Sequence, residues 1–259
     1  LQARSNGNGC FISINTGKDQ DITKEYTQRG RSFLYFALAA TIANLLGLKN
    51  IRFYENGPVS FNLPLSGQVV GGRATRTTHP QTLYLFQKLM SLITEDEFTV
   101  ENPFLNMTKS DVIKLLIEQH CGDLILQSMS CAHSWQQSNL HRHCGVCSQC
   151  IDRRVAIIAA DAQDYDDPTD YLIDFFTEDV DTKKDDFEAE NKNLLTSYFL
   201  RGDKISDDAY TMRKFESDYP TLYDAILYMD GDPFNATKKI YTLYRKFAKD
   251  IQKVAEYAT

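Results

Sequence analysis

No stretch of this 259-residue chain comes near the ~20 uninterrupted apolar residues that span a membrane. The longest apolar run, Phe33 to Leu46, is broken by Thr41 and Asn44 and reads as a buried helix. The opening residues carry no cleavable signal pattern, so a cytoplasmic protein is expected. There is no initiator Met, and because the chain opens on Leu1 we expect an N-terminal portion upstream of it. No internal repeat or low-complexity tract stands out. Cysteine is scarce, with six in all, and four of them fall between residues 131 and 150. A long, unsignalled and otherwise Cys-poor chain argues against a disulfide framework and for a metal site. Cys10 and Cys121 read as ordinary buried thiols. Positive charge is also short. The net charge is −7, made of +3 over residues 1–160, −14 over 161–232 and +4 over 233–259. Such acidity, with no basic stripe interleaved with aromatics, argues against a nucleic-acid binder. The acidic block reads as a solvated helical surface, and the composition step at about residue 160 suggests a domain boundary.

What is present is a core-forming composition, 42 % apolar, arranged in alternating short strands and helices. Cys10–Asn15 alternates like a strand, and Thr16–Gln28 is a polar loop. Arg31–Leu46 predicts a helix ended by Gly47. Ile51–Tyr54 predicts a strand, and Asn56–Pro80, rich in Gly and Pro, a long loop. Gln81–Ile93 predicts a helix and Phe98–Val100 a strand ending at Asn102-Pro103. Thr108 and Asp111 form a capping box that opens a helix over 109–119. Ile151–Asp161 continues as a helix. This alternation argues an α/β fold with a parallel sheet. Past residue 160 the strand signal vanishes, and helical patterns occur near 168–177, 186–200, 208–229 and 236–257, separated at Gly202-Asp203 and Gly231-Asp232-Pro233. The expected organisation is an α/β unit over 1–160 and an acidic α-helical extension over 161–259.

The chemistry concentrates in Cys131-x12-Cys144-x2-Cys147-x2-Cys150. A Cys-x2-Cys step brings two sulfurs to one tetrahedral ion, and two successive steps plus one Cys from a preceding loop complete a four-thiolate shell. Zn²⁺ is the expected ion, with free thiols or an iron–sulfur cluster as alternatives. Four Cys close the shell against water, so the site is structural rather than catalytic. Gly145 falls where a tight turn needs positive φ. His133, His141 and His143 then read as loop residues or neighbours of the ligands.

Four further residues stand out. Arg31 sits at the start of a helix, against the dipole, and calls for an anion: phosphate, substrate or a structural carboxylate. Lys109 follows an N-cap, and a helix N-terminus plus a Lys makes a natural polyphosphate site. Arg153 lies one turn after the last zinc ligand, placed either for nucleotide or substrate contact or for packing with Arg154. Glu55 ends a strand, where ligands gather in open α/β sheets. Gly71–Arg76 reads as a solvated loop or an anion-binding lid, and His133 with Trp135 as loop packing or a platform for a purine.

These residues resemble a known family. Asn102-Pro103-Phe104-Leu105, then Thr108-Lys109-Ser110-Asp111-Val112-Ile113, Cys131, Cys144-Gly145-Val146-Cys147-Ser148-Gln149-Cys150-Ile151-Asp152-Arg153 and Ala156 look like the C-terminal half of 7-cyano-7-deazaguanine synthase, QueC. Gly30-Arg31-Ser32-Phe33-Leu34 with Ala37-Leu38-Ala39, followed by the strand Ile51–Glu55, resembles the Arg-bearing helix that precedes the substrate loop there. The resemblance covers roughly residues 10–160. It implies a parallel-sheet, adenine-nucleotide α-hydrolase-like (HUP) ATP pyrophosphatase. Such an enzyme activates a carboxylate with ATP and Mg²⁺, releases pyrophosphate, and completes an amide and then a nitrile. Arg31, Glu55, Lys109 and Arg153 would be its nucleotide- or substrate-binding residues. Two departures stand against it. The SGGxDS pyrophosphate loop is absent from these residues: either it lies upstream of Leu1 or this branch has lost it. The acidic substrate loop is replaced by Glu55-Asn56-Gly57-Pro58 and Phe61–His79; Ser66-Gly67-Gln68 and Gly71-Gly72-Arg73 are not phosphate loops. QueC-like proteins with helical extensions occur in bacterial antiphage defence clusters, and this chain looks more like one of those than the housekeeping enzyme. Two readings follow: an ATP-dependent synthase acting on a small-molecule or protein carboxylate, with a homodimer as one assembly, or a catalytically degenerate scaffold whose residues 161–259 dock a protein partner.

Overall fold

The computed structural model describes residues 11–14, 29–64, 76–132, 140–176, 186–229 and 231–257. In chain order the elements are α1 (Arg29–Leu45), β1 (Asn50–Arg52), α2 (Gly57–Phe61), α3 (Pro80–Thr94), β2 (Thr99–Glu101), α4 (Lys109–Glu118), α5 (Asp123–Gln127), α6 (Ser148–Ala159), α7 (Asp186–Ser206), α8 (Met212–Asp218), α9 (Leu222–Ile226) and α10 (Pro233–Tyr257). Among the described residues the fold is mostly helical, with one small parallel sheet of two strands.

The apolar run after Arg31 forms α1 as expected. At Gly47 the chain wraps back, the Leu48 amide donating to the Ala43 carbonyl at 2.8 Å. Phe36, Ala40 and Ala43 pack with Leu83 and Met90 of α3 over Ile51 and Val100. The Phe36 and Phe86 rings stack 3.9 Å apart. Ile51 pairs with Val100 in register, and β1 and β2 run parallel because α2 and α3 supply the crossover between them. The opposite face of this sheet is polar, with the Arg52–Glu101 ion pair at 2.8 Å lying in solvent. Asn102 joins the two strand ends: its Nδ2 donates to the Glu55 carbonyl at 2.8 Å and to Ser60 Oγ at 3.0 Å.

The second and larger core forms around α6, in which every residue from Cys150 to Ala159 is buried. Ile151, Val155 and Ile158 face a cluster built from α7 to α10, including Phe215, Leu222, Ile240, Tyr244 and Ile251. Ile157 and Ala156 face Ile113 of α4 and Ile125 of α5. On the far side α9 reaches α3, where Gln81 Nε2 donates to the Tyr228 hydroxyl at 3.4 Å.

Several elements differ from the sequence reading. Phe11–Ile14 carries no strand and exposes Phe11, Ile12 and Ile14, while Cys10 and Asn15 lie outside the described residues. The 56–80 loop contains α2, capped by the Asn56 side chain accepting from the Val59 amide. The helix read near 168–177 is only a 3-10 turn at Pro168–Asp170. Beyond it the chain is drawn beside the cysteine loop, with the His143 amide donating to Asp170 O at 3.0 Å and the Leu172 amide to His143 O at 2.9 Å. The segment 208–229 is two helices, because the turn at Tyr219-Pro220 lacks an amide to continue the first. Gly202 is not a helix end but lies inside α7. A Cβ there would stand 2.6 Å from Ile251 Cγ2, so its missing side chain lets α7 and α10 approach. Residues 16–28, Ser66-Gly67-Gln68, Gly71–Thr75, His133 and Trp135 lie outside the described set.

Helix propensity alone says that Gly202→Ala stabilises by about 1 kcal/mol. The contact with Ile251 says the reverse. Overpacking costs about 1–3 kcal/mol, so urea unfolding is expected to show a net loss and a lowered midpoint; a raised midpoint refutes the close-approach role.

Candidate functional site

The knuckle Cys144-Gly145-Val146-Cys147 turns directly into α6, with Cys147 at the N-cap and Cys150 in the first turn. Cys131 approaches from the segment after α5. One ligand atom from each of the four lies within 4.8 Å of every other. Cys144 Sγ and Cys150 Sγ are 3.9 Å apart, against about 3.8 Å for the edge of a tetrahedron with Zn–S bonds of ~2.3 Å. That is far beyond a disulfide bond of ~2.05 Å. Backbone amides fold onto the sulfurs, Cys147 N donating to Cys144 Sγ at 3.4 Å and Cys144 N to Cys131 Sγ at 3.5 Å. Gly145 has φ +80°, and a Cβ would lie 1.6 Å from the Ile173 carbonyl oxygen. The sulfurs interact strongly: contact with Cys144 and Cys150 draws the Cys147 thiol down, while Cys144 and Cys150 are pushed up by their hydrogen-bonded neighbours. A bound cation would stabilise the thiolate forms, and the positive end of α6 favours thiolates there. The residues therefore fit a four-coordinate metal ion such as zinc, held by Cys131, Cys144, Cys147 and Cys150.

Behind the knuckle lies a buried charge network. Arg153 Nη2 and Arg154 Nη1 both bind Asp166, at 3.1 and 2.8 Å, and Arg154 Nη2 binds Asp174 at 2.6 Å. Arg153 also donates to the Tyr171 hydroxyl at 3.0 Å, Ser128 Oγ at 2.6 Å and the Ile125 carbonyl at 2.8 Å. Its guanidinium is thus occupied on all sides by protein. Balanced pairs like these are expensive to break, because removing one partner strands a buried charge. His143 is buried and stacked on Tyr171, its ring nitrogens lacking hydrogen-bond partners. His141 Nδ1 lies 3.1 Å from the Thr169 carbonyl, outside the sulfur cluster.

A second site forms at the C-terminal ends of β1 and β2. The Thr108–Asp111 capping box is present, with Thr108 Oγ1 accepting from the Asp111 amide and Asp111 from the Thr108 amide. Lys109, the first residue of α4, pairs with Asp152 of α6 at 2.5 Å, both largely buried. Glu55 lies close enough to feel both charges. Burial raises its carboxyl above the ordinary range, Lys109 opposing and Asp152 adding to the rise. Asp152 accepts a hydrogen bond from Tyr198 at 2.9 Å, and Ser110 Oγ donates to Asp250 of α10.

Of the residues read from sequence, the structure brings Lys109 and Glu55 together and gathers the four cysteines. Arg31 lies in the first turn of α1, and its side chain is outside the description. Arg153 stands under the metal knuckle, away from the strand ends. Cys121 is half-buried rather than core, its Sγ 3.3 Å from the Gln119 carbonyl. Sequence reading missed Asp152, Tyr198 and Asp250. Asp152 carried a signal: an acid between a metal ligand and an apolar helical stripe, four residues before the buried Ala156. Tyr198 and Asp250 carried none.

Together these features define a mixed helical and parallel-strand protein with a four-cysteine knuckle fit for a metal ion feeding a buried helix, and a Lys–carboxylate cluster at the strand ends. Residues 77–161, about a third of the chain, match the family model of QueC, the queuosine biosynthesis protein QueC. The resemblance read from the motifs is thereby borne out over that segment, which carries α3 to α6, Lys109 and all four cysteines. No curated protein and no solved structure matches the chain.

Elemental analysis of purified protein should find about one zinc per chain, and Cys150→Ser should lose it. Gly145→Ala should lose it too, since it strains φ and meets the Ile173 carbonyl; full metal occupancy in either variant contradicts the assignment. Glu55 gives a pH signature. Its folded-state carboxyl binds a proton more tightly than in the unfolded chain, so stability falls as pH rises through the ordinary carboxylate range to the raised value. Glu55→Gln removes that loss. It should melt higher than the parent at pH 8, with the gap closing toward pH 4.

Proposed function

We propose that this chain is a QueC-like, ATP-utilising protein. Residues to about 160 form the nucleotide unit of adenine-nucleotide α-hydrolase type, and residues 161–259 a helical extension. The reaction we infer joins a carboxylate to AMP at the expense of ATP and Mg²⁺, releases pyrophosphate, and lets ammonia displace AMP. An amide results, and a second activation dehydrates it to a nitrile on a 7-deazaguanine-type substrate.

One observation carries the reading. Inside the QueC-matched segment, Lys109 opens α4 beside Glu55 at the C-terminal ends of parallel strands, where nucleotides bind in open α/β sheets. An ammonium at a helix N-terminus suits a polyphosphate. The zinc knuckle serves as a clamp that fixes α6, and hence Asp152, against α4. Arg31, at the start of α1, remains a proposed anion-binding residue, and Glu55 a proposed substrate contact. Arg153 is proposed to act from behind, by holding the knuckle.

A second reading has one observation in its favour: no SGGxDS loop occurs in these 259 residues. On that reading the chain is a degenerate scaffold, with residues 161–259 docking a protein partner, and a place in antiphage defence fits either.

The deciding assay is release of pyrophosphate from Mg·ATP in the presence of 7-carboxy-7-deazaguanine and ammonia, on the full-length protein. Turnover that falls at least about 100-fold in Lys109→Ala supports the enzyme, a loss typical of removing a charge-stabilising contact. Absence of both nucleotide binding and pyrophosphate release leaves the scaffold reading.

A further inference from the structure

We propose that Tyr198 and Asp250, both in the C-terminal helices, are positioning residues for Lys109 and the first turn of α4. The helices beyond residue 160 are then a working wall of the site rather than a tail. The proposal rests on reading Lys109 as a phosphate-binding residue.

A lysine at the first position of a helix faces the like-signed end of the dipole and has four flexible carbons. Left alone it would swing into solvent. Here its side chain is only 19 % exposed, because Asp152 Oδ2 holds the ammonium. Asp152 is itself oriented: its other oxygen takes the Tyr198 hydroxyl at 2.9 Å. Tyr198 is buried, its ring edge-on to Phe247 of α10 at 5.6 Å, so packing between α7 and α10 sets where that hydroxyl points. From the other side, α10 holds the same turn of α4 twice. Asp250 accepts from Ser110 Oγ, which lies 2.8 Å from Thr108 Oγ1, and Lys246 pairs with Asp111 at 2.5 Å. A crevice too narrow to admit water, lined by Lys109, Ser110, Asp152, Val155, Phe247 and Asp250, lies where α4, α6 and α10 meet.

This arrangement has a use beyond rigidity. The Tyr198 hydroxyl fixes Asp152 through Oδ1 and leaves Oδ2 to face the ammonium alone. A carboxylate oriented in this way keeps Lys109 at one place at the start of α4 until an anion competes for it.

The test compares the full chain with Tyr198→Phe and Asp250→Ala. Lys109 acetylation by acetic anhydride at fixed pH is read by peptide mass spectrometry, with Lys253 as the internal reference, and Mg·ATP affinity by calorimetry. Each variant should raise Lys109 labelling at least threefold relative to Lys253, and Tyr198→Phe should weaken Mg·ATP binding about 10-fold. Labelling ratios that stay at the parent value, or a rise shared equally by Lys253, overturn the proposal. Asp250→Ala removes the acceptor for Ser110 and leaves the Tyr198–Asp152 contact in place, so it gives the reading even where Tyr198→Phe does not fold. If the parent binds no Mg·ATP while Lys109 labelling still responds, the nucleotide reading fails and the positioning role stands.

Discussion

Helix α6 must bury ten consecutive residues, Cys150 to Ala159, including one aspartate and two arginines. Apolar residues alone would make this a simple core helix. Three charges in its first half mean that the rest of the molecule has to supply a partner for each. The 166–174 segment brings Asp166 and Asp174 to the two arginines, α4 brings Lys109 to Asp152, and the knuckle anchors the N-terminus. The 3-10 turn at Pro168 follows from the same demand, since a regular helix there would not carry Tyr171 beside His143 and Asp174 beside Arg154. The cysteine cluster, the charge network and the Lys109–Asp152 pair thus all attach to one buried helix.

This constraint explains why the Lys–carboxylate cluster sits where it does. In a parallel pair the chain leaves both strands on the same side, so Glu55 and the turn before Lys109 emerge together. Asn102 locks those exits, using both its amide and its carbonyl, which also accepts from the Phe104 amide at 3.1 Å. Burial raises Glu55, and also Asp250, which Ser110 partly offsets. Each raised carboxyl has its own cation nearby, Lys109 for Glu55 and Lys114 for Asp250.

The legible parts of the sequence were those with local causes. The capping box at Thr108, the end of α1 at Gly47, the turn at Gly145 and the metal spacing all act within a few residues, and each is found where expected. The illegible parts depend on contacts between distant segments. Gly202 looks like a helix terminator until Ile251 is known to press on it. Residues 168–177 have a helical pattern, but pairing with His143 overrides it. Arg153 resembled a residue aimed at a ligand because its position relative to Cys150 is visible in sequence, whereas the four groups that surround its guanidinium are not. Tyr198 and Asp250 reach the site only through the packing of α7 and α10 on α6.

The charge step near residue 160 illustrates the same difference between surface and interior. Asp208 is fully exposed and Asp161 largely so, and both pair with basic residues of α10 at its surface. Others of the acids in 161–232 are buried, among them Asp166 and Asp174. Beneath the surface pairs the apolar cluster runs from Ile151 and Ile158 to Phe215, Ile240 and Ile251. Composition therefore adds solvent-facing and buried acids together, and only the structure separates them. α10 lies against α7 as well as α6, with Ile251 on Gly202 and Phe247 edge-on to Tyr198 at 5.6 Å. Ile151, Val155 and Ile158 of α6 are therefore covered by a layer of helices rather than by one partner, and any account of how Lys109 is held has to include that layer.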